Sequence, residues 1–224
     1  MLKLSAECAL GASIPQIAFQ TAEHCVMVAG QRLKFADCEK LLEPDDTMWS
    51  QGVSQHGIAL VATCPRAGMF AYSERTLRPT IHVCTYPDLM PNATLEYDCL
   101  EFTALSFARS GKQLAALTGL PELKLVVWSM ETGLVLATSD LKVPFDSLSF
   151  NPSGDGSLVT LAAKKLLVWR LKLVYETYLL EANEIGLETN LVDEDDEPLD
   201  LAQCLWTSHA WSFGNSLYAP SQSN

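Results

Sequence analysis

The stretch "LSFNPSG", Leu148 to Gly154, has a near copy in "LSFARSG", Leu105 to Gly111, 43 residues upstream. Two short words made of common residues prove little by themselves, so the flanks decide. Another 43 residues back stands Gly68, in "LVATCPRAGMFAY". Each of the three glycines follows an apolar alternation (Leu60 and Ala62, Leu105 and Phe107, Leu148 and Phe150) and precedes a second apolar run. That is the pattern of strand, tight turn and strand, with Ser-Gly or Ala-Gly supplying the backbone freedom of the turn.

The flanks repeat as well. A third strand follows in each unit as "TIHVCTY", "LKLVVWS" and "KKLLVWR", placing Trp128 and Trp169 at matching positions, 41 residues apart. A fourth, more polar strand follows a further turn, in "GLVLATS" and in "VYETYLLEA". Four strands in about 40 to 45 residues is the period of a β-propeller blade. "QIAF", "CVMVAG", "RLKFAD" and "EKLLE" give a shorter unit of the same order upstream. The sequence therefore predicts an all-β chain of propeller type. It has an N-terminal segment over 1–13, and four blades over 14–190, at roughly 14–48, 56–95, 99–141 and 144–190. An acidic insertion at 191–200 and a partial fifth blade at 201–224 follow, opening with "HAW" and continuing at Leu217 to Ala219. A ring of seven blades needs roughly 300 residues, so an incomplete ring is expected, either a fragment of a longer product or one completed by other polypeptide.

Residue type within a blade follows from burial. An inner strand lies between neighbouring sheets on both faces and so reads as a near-continuous apolar run, such as Leu125 to Trp128. Outer strands meet water and tolerate charge, as around Glu176. Trp128, Trp169, Phe107 and Phe150 are expected as packing residues between blades, and Gly68, Gly111 and Gly154 as turn positions. The alanine, leucine and lysine content of 158–186 favours helix locally. The register with the Trp128 unit overrides it.

Composition narrows function by exclusion. A net charge of -12 on 224 residues disfavours nucleic acid as a partner, since binding to phosphates needs a basic face. Asp193, Glu194, Asp195, Asp196 and Glu197 form a candidate docking loop for a basic partner, with no turn glycine or terminal Glu to make a calcium loop. Seven cysteines, with no C-x-x-C pair, suit buried reduced thiols in the cytosol better than disulfides or a zinc site. Glu7 interrupts the N-terminal apolar run before a signal peptide is complete, and no run approaches the roughly 20 apolar residues of a membrane helix. "ARSGKQ" lacks the spacing of a phosphate loop, and "GNSLY" lacks the last glycine of a nucleophile elbow. His24, His56, His82 and His209 are scattered, so no catalytic, metal-binding or cofactor-binding residue is assigned.

Residues 58–224 resemble the WD-repeat family, although Trp128 is followed by Ser129 and Trp169 by Arg170 where that family carries Asp. A narrower likeness rests on "AYSERTLRPTIHVCTYPDL", on "LEYDCLEFTALSFARSGKQLAALTGLPELKLVVWSMETG", and on "FDSLSFNPSG", "LLVWRLK" and "HAW" before "LYA". Glu74 to Pro79, Leu120-Pro121-Glu122 and Phe150-Asn151-Pro152 weigh most. Together they look like the N-terminal propeller of the cilia- and flagella-associated 43 and 44 family. The resemblance implies a non-catalytic scaffold of the ciliary or flagellar axoneme, in the tether and tether-head complex that links inner-arm dynein to the doublet microtubule. The partners it implies are the paralogous propeller subunit, inner-arm dynein and doublet microtubule proteins, with no cofactor, nucleic acid or membrane.

Overall fold

The computed structural model describes residues 17–38, 48–51, 56–154, 156–185, 204–212 and 216–223. Among these residues the regular structure is strands, apart from the 3-10 turn Pro65–Ala67. Two compact units divide the chain, Met1–Phe102 and Thr103–Asn224.

The first unit holds two antiparallel meanders. One consists of β1 (Ile17–Phe19), β2 (His24–Ala29), β3 (Arg32–Asp37) and β4 (Met48–Gln51), the other of β5 (Ile58–Cys64), β6 (Met69–Glu74), β7 (Ile81–Thr85) and β8 (Pro91–Leu95). Val26, Val28, Leu33 and Phe35 of one sheet share a buried cluster with Ile58, Val61, Phe70 and Tyr72 of the other. The Phe35 and Phe70 rings meet edge to face at 5.0 Å, a favoured aromatic geometry. Thr63 Oγ1 donates to the Phe19 carbonyl at 2.9 Å, tying β5 to the short strand β1.

Two further meanders follow. One is β9 (Phe102–Phe107), β10 (Gln113–Thr118), β11 (Lys124–Ser129) and β12 (Val135–Asp140). The next is β13 (Ser147–Phe150), β14 (Ser157–Ala162), β15 (Lys165–Val174) and β16 (Thr177–Glu184). Ala115, Leu117, Leu125 and Val127 of the third sheet pack with Leu158, Leu167 and Trp169 of the fourth. Two hydrogen bonds link their inner ends: Phe150 N–H donates to Ser106 Oγ at 3.2 Å, and Arg109 donates to the Pro152 carbonyl at 3.0 Å. After the fourth sheet come two short ladders, β17 (Cys204–Trp206) with β20 (Ser221–Ser223) and β18 (Ala210–Trp211) with β19 (Leu217–Tyr218). Trp206, Trp211, Leu217 and Ala219 cover the face of the fourth sheet formed by Val159, Leu161 and Leu166.

Burial separates inner from outer strands as the residue types require. The middle of β11, Leu125 to Trp128, is buried on both faces, whereas β12 alternates and β16 is largely exposed. The helix-prone stretch supplies β14, β15 and β16: Leu158 to Ala162 are buried at every position, as an inner strand covered on both faces requires, and exposure rises through β15 to β16.

Three local features differ from the sequence reading. The outermost strand of the first sheet is Met48–Gln51, while "EKLLE" lies outside the described residues. Tyr175 does not lie in an outer strand: β15 continues to Val174, and Tyr175 sits at the tip of the hairpin with φ of 57° and 98% exposure. The pairing of β17 with β20 carries no sequence signal, since "CLW" and "SQS" differ in polarity; Trp206 of β17 packs on the fourth sheet, where its backbone N–H donates to the Ala163 carbonyl at 2.8 Å.

Trp128, only 1% exposed on β11, is the bulkiest of the fully buried side chains. Trp128→Ala is expected to cost about 3–5 kcal/mol, the usual range for deleting a buried Trp, read as a fall in the urea unfolding midpoint at unchanged slope.

Candidate functional site

The residues singled out by the repeat have separate roles. Gly68 ends the 3-10 turn with φ of 59°, and its N–H donates to the Pro65 carbonyl at 3.3 Å. Gly111 takes φ of 75°, its N–H donating to Ala108 at 2.9 Å. Both need the left-handed backbone that glycine adopts without penalty. Gly154 also closes a turn, onto Asn151 at 3.2 Å, but without a positive φ and with open space where a Cβ would sit. Phe150 and Trp169 share one buried cluster, while Phe107 and Trp128 are buried outside it. Asp193 to Glu197 lie outside the described residues.

The polar constellation of the second unit was not legible in the sequence. His209, in the lead into β18, is flanked by two hydroxyls of the innermost strand of the fourth sheet. Ser149 Oγ lies 2.5 Å from Nε2, and Ser147 Oγ 3.1 Å from Nδ1. Trp211 Nε1 donates to Ser149 Oγ at 2.9 Å. An indole N–H only donates, so Ser149 accepts from it, and its hydroxyl still has its own O–H and a second lone pair for Nε2; with Ser147 equally able to give or accept at Nδ1, either neutral tautomer closes the chain. A neutral imidazole satisfies the whole chain. Burial holds His209 below the ordinary histidine pKa. Sixty residues separate the partners, and each is an ordinary strand or turn residue, so only the fold joins them.

This cluster joins a nucleophile type to a base but has no third group to orient the base. Nδ1 faces a hydroxyl rather than a carboxylate, and Ser149 is occupied by Trp211. Its physical role is a latch that fixes the β18–β19 hairpin to β13. A second indole is used in the same way inside the fourth sheet, Trp169 Nε1 donating to Thr160 Oγ1 at 2.9 Å. In the first unit, burial pushes the Cys84 thiol and the Tyr86 phenol up, and Cys25 is raised by burial and then by the neighbouring Cys38 thiol. These are groups held neutral in a core. No cluster of three metal-ligating side chains occurs among the described residues.

The surface offers a projecting element. β14 pairs with β15 only as far as Arg170, so Lys172 to Leu179 continue as a two-stranded arm. Leu173, Val174, Tyr175 and Leu179 are all exposed on it, and the Lys172–Glu181 ion pair stands at its base. That salt bridge holds the Glu181 carboxyl below its usual range. Large exposed apolar side chains gathered in one small patch are the mark of a binding surface.

Among solved structures, the Kluyveromyces lactis Hsv2 matches with a TM-score of 0.61 at 12% identity, over 75% of this chain and 59% of that one. The Myceliophteria thermophila Cps50 (Swd1) beta-propeller domain matches with a TM-score of 0.57 at 12% identity, over 73% and 50%. With the repeated four-stranded meander, the fold is that of a β-propeller. No family model matches the chain. Among curated proteins, a Xenopus laevis relative is 28% identical over 134 residues, 58% of this chain. The chain is similar to cilia- and flagella-associated protein 43. The Mus musculus protein of that name is 27% identical over 117 residues, 51% of this chain. The matched stretch spans 8% and 7% of those two relatives, well under a tenth of their length.

The latch gives a signed pH dependence. His209 has a lower pKa folded than unfolded, so the unfolded chain binds the extra proton first, and stability contributed by the neutral ring is complete above about 6.5. It is lost as pH falls from there toward the folded value. A thermal unfolding series from pH 8 to 5 should show a midpoint falling below that point, with a smaller fall in His209→Gln; equal falls in the two proteins would refute the assignment.

Proposed function

We propose that this chain is a non-catalytic scaffold module of the ciliary or flagellar axoneme. The observation that carries this is the similarity to cilia- and flagella-associated protein 43 across 134 residues, on a propeller fold whose blades serve packing rather than chemistry. In this reading the module belongs to the tether and tether-head assembly, between inner-arm dynein and the doublet microtubule. Its partners are axonemal proteins: the paralogous propeller subunit, inner-arm dynein and doublet proteins. Its compartments are the cytoplasm, the cytoskeleton and the axoneme.

Physical support comes from the division of labour within the sheets. Inner strands are spent on mutual burial, which leaves outer strands, turns and the arm at Lys172–Leu179 as the parts able to touch other proteins. The acidic loop, Asp193 to Glu197, is a second proposed contact, for a basic surface of a neighbour.

Fractionation tests the reading. The chain is expected in axonemes stripped of membrane by detergent and to stay there through mild salt; recovery solely in the soluble fraction would overturn the axonemal role and favour an adaptor in another cytosolic complex. The arm gives a finer test. Leu173→Ser combined with Tyr175→Ser changes only exposed side chains, so the thermal midpoint should stay within the small range of surface changes. Retention in stripped axonemes should fall.

A further inference from the structure

Glu74, the last residue of β6, is 8% exposed, yet its Oε1 accepts no hydrogen bond. His82 Nε2 stands 3.6 Å from Oε2, beyond hydrogen-bond reach. His82 is held elsewhere: Nε2 lies 3.0 Å from Thr80 Oγ1, and the ring stacks on Tyr72 at 5.1 Å. A carboxylate withdrawn from water without a full set of donors is costly, and the packing of the first unit does not require one at this position.

Glu74 also lines a cavity of about 750 Å³, all of whose walls belong to the first unit. The cavity lies between Glu74 to Leu77, at the start of the loop that runs to Thr80, and Leu100 to Phe102, at the end of the segment that begins at Glu96, with His56 and Ala59 completing its wall. Glu101 adds a second carboxylate, and Leu77, Leu100 and Phe102 supply apolar wall. Leu77 is 84% exposed, although nothing in the fold calls for a leucine there. A second hollow of about 410 Å³, between the same two segments, carries Glu96 and Asp98 beside Arg78. Across the two hollows four carboxylates face two guanidinium groups, Arg75 and Arg78.

We infer that this cavity receives an arginine side chain of a protein partner, with Glu74 as the anchoring carboxylate. A guanidinium meets both oxygens of a carboxylate in parallel, which a compact ammonium does not. The last torsion of a glutamate is soft, so a small rotation turns Oε1 to the incoming donors. Leu77 and Leu100 cover the methylene stem, as apolar walls do for long cationic side chains. Glu101 at the mouth favours the approach of a positive group. The site stands apart from the question of where in the cell the protein works. It would serve an axonemal partner or any other, so its failure and the failure of the axonemal role are told apart.

The probe is the peptide acetyl-Ala-Arg-Ala-amide, titrated into the isotopically labelled 224-residue chain and followed by amide NMR. A peptide with citrulline in place of arginine, equal in shape and neutral, serves as comparison. Saturable shifts of the 74–80 and 96–102 amides with the arginine peptide, absent with citrulline, are expected. Equal shifts with both peptides, or none with either, would overturn the proposal. Glu74→Gln should weaken binding by about tenfold or more while leaving the thermal midpoint equal or higher, because it removes an undercompensated charge. Unchanged binding in Glu74→Gln would overturn the site. So would a clear fall in its midpoint, which would mark the carboxylate as a structural group. Leu77→Ala, on the surface, gives a variant whose folding is not at issue; it should weaken the arginine peptide several-fold, and unchanged binding there would remove Leu77 from the site.

Discussion

Everything in this molecule depends on burying both faces of its inner strands. A four-stranded meander with polar outer strands is ordinary, but one whose middle strands read Leu-Val-Val-Trp has no solvent face at all. Such a sheet is stable only with another sheet on either side. Within each unit the consequence is visible: the first two sheets share one cluster, the third and fourth another, and the terminal hairpin covers the far face of the fourth. Hydrogen bonds from Thr63, from the Phe150 N–H to Ser106 and from Arg109 serve mainly to fix the position of sheets that apolar burial has already joined.

Most of this was legible from spacing. Three glycines at an even step, with two tryptophans in matching places, announce repeated four-stranded units before any contact is known. Strands form even where the composition of β14 to β16 favours helix, because the repeat supplies non-local information that propensity lacks. Legibility fails where partners are distant and unremarkable. His209 with Ser147 and Ser149, or Glu74 with a cavity built from a later segment, are single polar residues whose meaning comes only from the side chains that fail, or manage, to satisfy them. The glycines show a subtler limit. Gly68 and Gly111 occupy left-handed backbone, while Gly154 does not, so one repeated letter covers two different physical demands.

Similarity to cilia- and flagella-associated protein 43 covers a little over half of the chain, and the propeller likeness about three quarters. Sequence likeness speaks to cellular setting, structural likeness only to architecture. What remains to distinguish this chain is on its periphery, in the arm beyond Arg170 and the carboxylate-lined cavity beside Leu77.

The latch around His209 closes a loop of about sixty residues, from β13 to the lead of β18. Within that span β14, β15 and β16 are already ordered by their own ladders, so the latch joins two preformed elements rather than closing a flexible chain. Four side chains, Ser147, Ser149, His209 and Trp211, make that join, so the hairpin can be released by side-chain rotation alone, without unpairing a strand of the fourth sheet.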